Sequence, residues 1–275
     1  MGNRKIDMNR LDQTFNRLKE QGEKALITYI MAGDPSLQET EQLVLELERA
    51  GADVIELGVP FSDPIADGPV IQKAAERALR SGTSLRKILE SVRSLRGKTQ
   101  IPIVLMAYYN NIHAFGEADF CRKAVAAGVD GLIVPDMPPD EAGPLRNPAD
   151  QAGLKLIFLL APTSTAVRRN YVARQSRGFV YYVSITGITG AKLDDVADVQ
   201  ANVAKIRKVT KTPVAVGFGV ATPDDAARVA KVADGVIVGS AIVKRMAEHG
   251  QDARLVPQVG MFVRSLKAAM QPIQA

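Results

Sequence analysis

The chain has 275 residues, of which 46% are hydrophobic, 24% charged and only 5% aromatic. Those proportions exclude a disordered, collagen-like or disulfide-stapled chain, and the length suits one large domain or two small ones. The 35 Lys and Arg exceed the 30 Asp and Glu for a net charge of +5, with no Trp; spread this thinly, the excess reads as solvated surface rather than a polyanion site.

In chain order, residues 1–22 are charged throughout and lack the apolar core of a signal peptide. Short apolar runs rich in Val, Ile and Leu then recur at Ala25–Ala32, Asp53–Pro60, Ile101–Tyr108 and Gly131–Pro138. Four more follow at Leu154–Pro162, Phe179–Ile185, Pro213–Val220 and Gly235–Val243. Each has the length of a buried parallel strand, and none approaches the roughly 18 apolar residues of a membrane span.

The stretches between them are helical, with recognisable ends. Ser36 with Glu39 reads as a capping box and Gly51 as a helix stop. Cys121, the single cysteine, lies in the helical Asp119–Gly128 and reads as a buried structural thiol. The densest basic stretches, Arg168–Arg177 and Lys205–Lys211, interleave with apolar residues as outer helix faces do. No aromatic-plus-basic stripe of a single-strand binder accompanies them. Thr222-Pro223 opens another helix. A cytoplasmic protein is expected, partnered by neither nucleic acid nor membrane.

Strand–helix repetition gives parallel strands with helical crossovers. About eight strands in about 250 residues is the size of a closed (β/α)8 TIM barrel. No Ser/Pro/Gly-rich linker divides the chain, so residues 1–275 read as one domain. Leu11, Phe15 and Leu18 form a helical stripe before the first strand, expected to cover the barrel's lower end. A doubly wound open sheet is the alternative, but it calls for an early G-x-G-x-x-G turn that is absent. The chemistry of a barrel lies at the C-terminal strand ends.

Alternation along the second strand puts Glu56 on one face with Val54, Gly58 and Pro60, and Ile55, Leu57 and Val59 on the other. The branched set suits the surface under the helices, so Glu56 points into the barrel, where burial raises its pKa unless a cation is close. The alternative is a structural ion pair, but the strands offer no inward base. Asp67, in the long loop from Phe61 to Pro69, is placed to swing over the mouth, or else to cap the next helix. Two converging carboxyls form an acid–base pair when their environments separate their pKa values. His113 and His249 belong to no ligand cluster, so no metal is expected.

Glycine-rich ends follow at Ser184–Gly190, Gly217–Gly219 and Gly239–Ser240. They suit a phosphate held by backbone N–H groups and helix N-termini, as barrels do after their last strands. Gly187 and Gly190 read as the hinges of a lid.

The string E-L-G-V-P-F-S-D-P-I-A-D-G-P, Glu56 to Pro69, closely resembles the signature of the tryptophan synthase alpha subunit. The resemblance continues in order through A-G-D-P (Ala32–Pro35), P-D-M-P (Pro135–Pro138), G-I-T-G (Gly187–Gly190), G-F-G (Gly217–Gly219) and V-G-S-A-I-V (Val238–Val243). It implies a (β/α)8 barrel with an extra N-terminal helix, and a lyase of tryptophan biosynthesis. That enzyme cleaves indole-3-glycerol phosphate to indole and glyceraldehyde 3-phosphate by a retro-aldol reaction.

By that resemblance Glu56 is the general acid–base and Asp67 holds the indole N–H, with Tyr181 the active-site tyrosine. Tyr29, Met106, Tyr108 and Phe218 line the indole pocket, and Thr189 is a lid residue that closes on Asp67. Gly190, Gly219, Gly239 and Ser240 hold the phosphate, and Asp63 and Asp136 face the partner, although Asp136 would equally cap a helix. The implied partner is a beta subunit in an alpha2beta2 heterotetramer, with pyridoxal phosphate on the beta side and no cofactor here. Ile185 and Met31 depart from the pattern, at the lid and the pocket wall.

Three other readings stay open. Another phosphate-binding barrel, such as an epimerase or phosphosugar synthase, shares the late glycines but does not predict the Glu56–Asp67 string. A non-catalytic subunit that activates its partner does not need both acids. A nucleic-acid binder rests on net charge alone.

Overall fold

The computed structural model describes residues 9–183, 196–217, 219–250 and 252–271. The first half comprises α1 (Arg10–Glu20), β1 (Ala25–Met31), α2 (Leu37–Arg49), β2 (Val54–Gly58), α3 (Pro69–Arg80), α4 (Leu85–Leu95), β3 (Ile103–Met106), α5 (Tyr109–Phe115), α6 (Glu117–Ala127) and β4 (Gly131–Ile133). The second comprises α7 (Gly143–Ala152), β5 (Lys155–Ile157), β6 (Leu159–Leu160), α8 (Ala166–Gln175), β7 (Val180–Val183), α9 (Val196–Arg207), β8 (Val214–Gly217), α10 (Pro223–Ala230), β9 (Gly235–Val238), α11 (Ser240–His249) and α12 (Leu255–Met270).

All the strand pairs are parallel, in the order β5-β4-β3-β2-β1-β9-β8-β7-β6. The two ends of that order, β5 and β6, are consecutive in the chain and separated only by Phe158. The sequence predicts one strand over Leu154–Pro162. The break comes at Phe158, whose amide donates to the Ser176 hydroxyl (3.1 Å) while its carbonyl accepts from the Tyr181 amide (3.2 Å). One interrupted strand thus pairs with β4 through its first half and β7 through its second, closing a (β/α)8 TIM barrel. An open doubly wound sheet is excluded.

Strands are shorter than the apolar runs because a run does not show where strand gives way to helix. In Gly235–Val243, the residues from Ser240 onward already belong to α11.

Side-chain alternation then sorts the core. Ala25, Ile27, Val54, Val104, Ile133 and Ile157 face inward and pack on Leu11, Phe15 and Leu18 of α1, which plugs the lower end as expected. Leu26, Ile30, Ile55, Leu57, Ile103 and Leu105 face the helices. Ser36 caps α2 through its hydroxyl (3.1 Å to the Gln38 amide), and Thr222 with Asp225 forms the reciprocal box on α10. Cys121 is buried, which pushes its thiol up to about 11 and makes it a poor nucleophile. Among the described residues no helix is long and apolar enough to cross a membrane.

A device that the sequence reading does not anticipate recurs at the strand feet. Asp53, just before β2, accepts the Leu26 amide of β1 (2.9 Å). Asp130, before β4, accepts the Ile103 amide of β3 (2.9 Å), and Asp234, before β9, the Val214 amide of β8 (2.8 Å). Ser176, before β7, fills the same place for Phe158. Each of the three carboxylates also meets a cation: Lys267 at Asp53 (2.8 Å), Arg96 at Asp130 (2.8 Å) and Arg207 at Asp234 (2.7 Å).

Replacing Asp130 by Ala leaves the Ile103 amide without its acceptor and the half-buried Arg96 guanidinium with backbone carbonyls but no counter-charge. Urea unfolding should show a loss of about 3 kcal/mol, against under ~0.5 kcal/mol for Asp63→Ala on the exposed loop.

Candidate active site

The upper end of the barrel collects the groups singled out by sequence. Register places Tyr29 of β1 beside Glu56 of β2, and Glu56 beside Val104 of β3. One layer higher, Met31, Gly58 and Met106 are neighbours. Glu56 is 1% exposed, and its Oε2 has no hydrogen-bond partner among the described residues. Its pKa rises from 4.5 to about 8, first through loss of water and then through the charge of Asp67. Among the described residues no cation opposes that rise, and none forms the structural ion pair that was the alternative.

Asp67 sits one residue before Gly68, the N-cap of α3, so it does not cap the helix itself. The half-buried carboxyl is shifted up to about 6 by desolvation, with the Tyr108 hydroxyl acting in the opposite direction as a donor. Tyr29 and Tyr181 are pushed well above the ordinary phenol range, chiefly by burial and further by both acids. These phenols stay neutral and supply hydroxyl dipoles. Mutual electrostatics thus ties Tyr29, Glu56, Asp67, Tyr108 and Tyr181 into one cluster.

Two glycines make that cluster possible. A methyl group on Gly58, the last residue of β2, would lie 2.1 Å from the Tyr29 hydroxyl, and one on Gly217, the last of β8, 2.6 Å from the Tyr181 hydroxyl. Sequence reasoning reads Gly217 as an approach for phosphate; the structure assigns it to making room for a phenol. Each glycine lies two residues beyond the register partner of its tyrosine, and an inward glycine diagonal to an inward tyrosine on the neighbouring strand is the signal that identifies such a position.

Gly219, after β8, adopts φ +80°, and Gly239, the N-cap of α11, lies beside Tyr29. Among the described residues no side chain caps α11, whose first residue is Ser240, so the positive end of its dipole has no side-chain acceptor there. Thr189, Gly190, Phe218 and the lid with Ile185 lie outside the described residues. Met31 is buried among Tyr29, Ile71 and Ala74, on the wall between β1 and α3. Asp63 is exposed, and among the described residues its carboxylate accepts only the neighbouring Ser62 hydroxyl (2.6 Å). Asp136 accepts the amide of Tyr109, the first residue of α5 (3.0 Å), which is the capping role that its turn allowed. Among the described residues no group of three or more His, Cys, Asp or Glu forms a metal site.

Residues 15–271 match the family described as tryptophan synthase alpha chain. The tryptophan synthase alpha chain of Citrifermentans bemidjiense is 56% identical over 260 residues, covering 94% of this chain and 97% of that one. The chain belongs to the tryptophan synthase alpha chain family. The alpha chain of Geobacter sulfurreducens is 54% identical over 263 residues, 96% of this chain and 99% of its own. A crystal structure of the alpha subunit from Legionella pneumophila superposes with a TM-score of 0.88 at 39% identity, covering 96% of this chain and 98% of that one. An aminoacrylate-bound tryptophan synthase from M. tuberculosis gives 0.86 at 35% identity, covering 96% and 100%. Membership of the alpha chain family sets aside the epimerase, phosphosugar synthase and nucleic-acid readings.

The uncompensated carboxyl of this alpha chain has a thermodynamic signature. Glu56 takes up a proton in the folded state up to about pH 8 but only to its ordinary 4.5 when unfolded. Stability therefore falls as pH rises between those values, by up to ~1.4 kcal/mol per pH unit. Glu56→Gln should match wild type near pH 4.5 and exceed it above pH 8 in denaturant unfolding. Equal pH dependence in the two proteins would count against a buried, unpaired acid.

Proposed function

We infer that this alpha chain is a lyase that cleaves indole-3-glycerol phosphate to indole and glyceraldehyde 3-phosphate. The observation that carries the site assignment is the divergence of two neighbouring carboxyls, Glu56 at about 8 and Asp67 at about 6. At neutral pH the first is mostly protonated and the second mostly ionised, which is what a retro-aldol step on an indole requires.

Protonated Glu56 delivers its proton to indole C3, leaving an indolenine cation whose N–H faces the Asp67 carboxylate. The Glu56 carboxylate then takes the proton of the glycerol hydroxyl next to the ring. The C3–C1′ electron pair returns to the ring as the bond breaks, C1′ becomes the aldehyde, and Glu56 ends protonated as it began. Proton transfer suffices for each step, so the alpha chain needs no cofactor; pyridoxal phosphate belongs to the beta subunit. Tyr29, Met106, Tyr108, Tyr181 and Phe218 are the proposed walls of the indole pocket, and Thr189 the residue that closes over Asp67.

Phosphate is proposed to sit on the backbone of Gly190, Gly219 and Gly239 and on Ser240, at the uncapped end of α11. Binding at that remote end orients the reacting end. The beta subunit is the proposed partner, in an alpha2beta2 heterotetramer in the cytoplasm. It would meet the loop from Phe61, where Asp63 and the 84% exposed Ile65 face outward, and the turn at Asp136.

Indole release from indole-3-glycerol phosphate, by the chain alone and with a beta subunit, tests this. Glu56→Gln should lower turnover at least ~100-fold in a protein that still folds. Asp67→Asn should lose turnover comparably while glyceraldehyde 3-phosphate still binds. Wild-type indole release by Glu56→Gln would overturn the mechanism.

A further inference from the structure

The loop that carries Asp67 has few anchors of its own. Its internal bonds are short-range, Ile65 amide to Asp63 carbonyl (2.9 Å) and Asp67 amide to Pro64 carbonyl (3.0 Å). From α3, the Gln72 amide group donates to the Asp67 carbonyl (2.8 Å). Tyr108, from the end of the next strand run, engages the loop differently. Its hydroxyl accepts the Ala66 amide (2.9 Å), its ring stacks on Phe61 at 5.2 Å and 28°, and the same hydroxyl faces the Asp67 carboxylate. Tyr108 therefore touches both ends of the loop.

Its own placement is fixed from below. It is the N-cap residue of α5, and the next amide, Tyr109, is held by Asp136 from the loop after β4 (3.0 and 3.3 Å to the two carboxylate oxygens). The Asn111 side chain donates to the Pro60 carbonyl (3.3 Å), which ties the same helix turn to the start of the loop.

We propose that Tyr108 is the positioning residue for Asp67: by accepting the Ala66 amide and stacking on Phe61 it holds both ends of the loop so that the Asp67 carboxylate is aimed into the mouth, and Asp136 holds Tyr108 in place. The inference rests on the reading of Asp67 as the group that holds the indole N–H, and adds to the pocket-lining role the orientation of the acid itself. Among the described residues, the ionisable groups around Asp67 are Glu56 from β2, Tyr29 from β1, Tyr181 from β7, Tyr108 and, behind Tyr108, Asp136. Among these, Tyr108 is the donor that favours the ionised form.

The test is Tyr108→Phe in the full chain assembled with its beta subunit, which keeps the ring and its stack and removes only the hydroxyl. Two readouts are taken. Indole release across pH should show kcat down about tenfold with KM nearly unchanged, and the acid limb displaced to higher pH. Carbon-13 NMR of labelled aspartates, with the Asp67 signal assigned by Asp67→Asn, should show its midpoint raised by about one unit over wild type. Coincident limbs and midpoints in the two proteins would overturn the proposal while leaving the lyase reading intact. If wild type releases no indole the lyase reading fails, and the NMR midpoint still decides whether Tyr108 governs Asp67.

Discussion

In a parallel barrel, a slip of one residue along a strand exchanges its two faces, so Glu56 reaches the interior only while β2 is held in one register against β1 and β3. Asp53 does that holding for β1 and β2. It sits one residue before β2, accepts the Leu26 amide through its side chain and donates its own amide to the Leu26 carbonyl (2.8 Å). Asp130 makes the same double contact with Ile103, and Asp234 with Val214. The floor of the barrel is therefore a ring of polar clasps, each buried or half-buried, and the three carboxylates among them are each paired with a cation. The mouth is the reverse, with one carboxyl buried from water and no cation among the described residues to meet it.

That contrast separates the two ends by physics. On the floor each carboxylate has both a backbone N–H and a cation as donors, which makes the interactions specific and costly to break. At the mouth the Oε2 of Glu56, which has no hydrogen-bond partner among the described residues, leaves hydrogen-bonding capacity for a ligand. The fold tolerates this because the surrounding layer is rigid: the Tyr29 and Tyr181 hydroxyls pack against the bare backbone of Gly58 and Gly217. α3 is anchored independently by the bidentate pair of Arg77 with the buried Asp34 (2.7 and 2.8 Å).

Much of this was legible in the residues. Alternation alone put Glu56 inward and Ile55 and Leu57 outward, because only branched side chains suit the layer under the helices. The stripe of Leu11, Phe15 and Leu18 announced a plug because three apolar residues on one helical face need a cover. Less legible was anything fixed by approach between distant segments. Gly217 resembled a phosphate glycine because a missing Cβ looks the same whatever fills the space. The break at Phe158 was hidden in a continuous apolar run, since a hydrogen bond to a serine side chain leaves no mark on hydropathy. The clasps left a faint trace, the recurring Ala-Asp or Val-Asp before a strand, which reads as a turn until the amides of the preceding strands are seen.

The clasps fall on every second side of the barrel, and three are carboxylates while the third in chain order is a hydroxyl, Ser176. Seen this way the molecule is four strand–helix–strand quarters arranged like staves, and the neutral clasp belongs to the quarter whose first strand is interrupted at Phe158. That quarter is the seam of the barrel. It lies across the axis from β1 and β2, so the stave that is least firmly hooped is remote from the one carrying Glu56. The register of Glu56 is therefore set by clasps that the interruption at the seam does not touch.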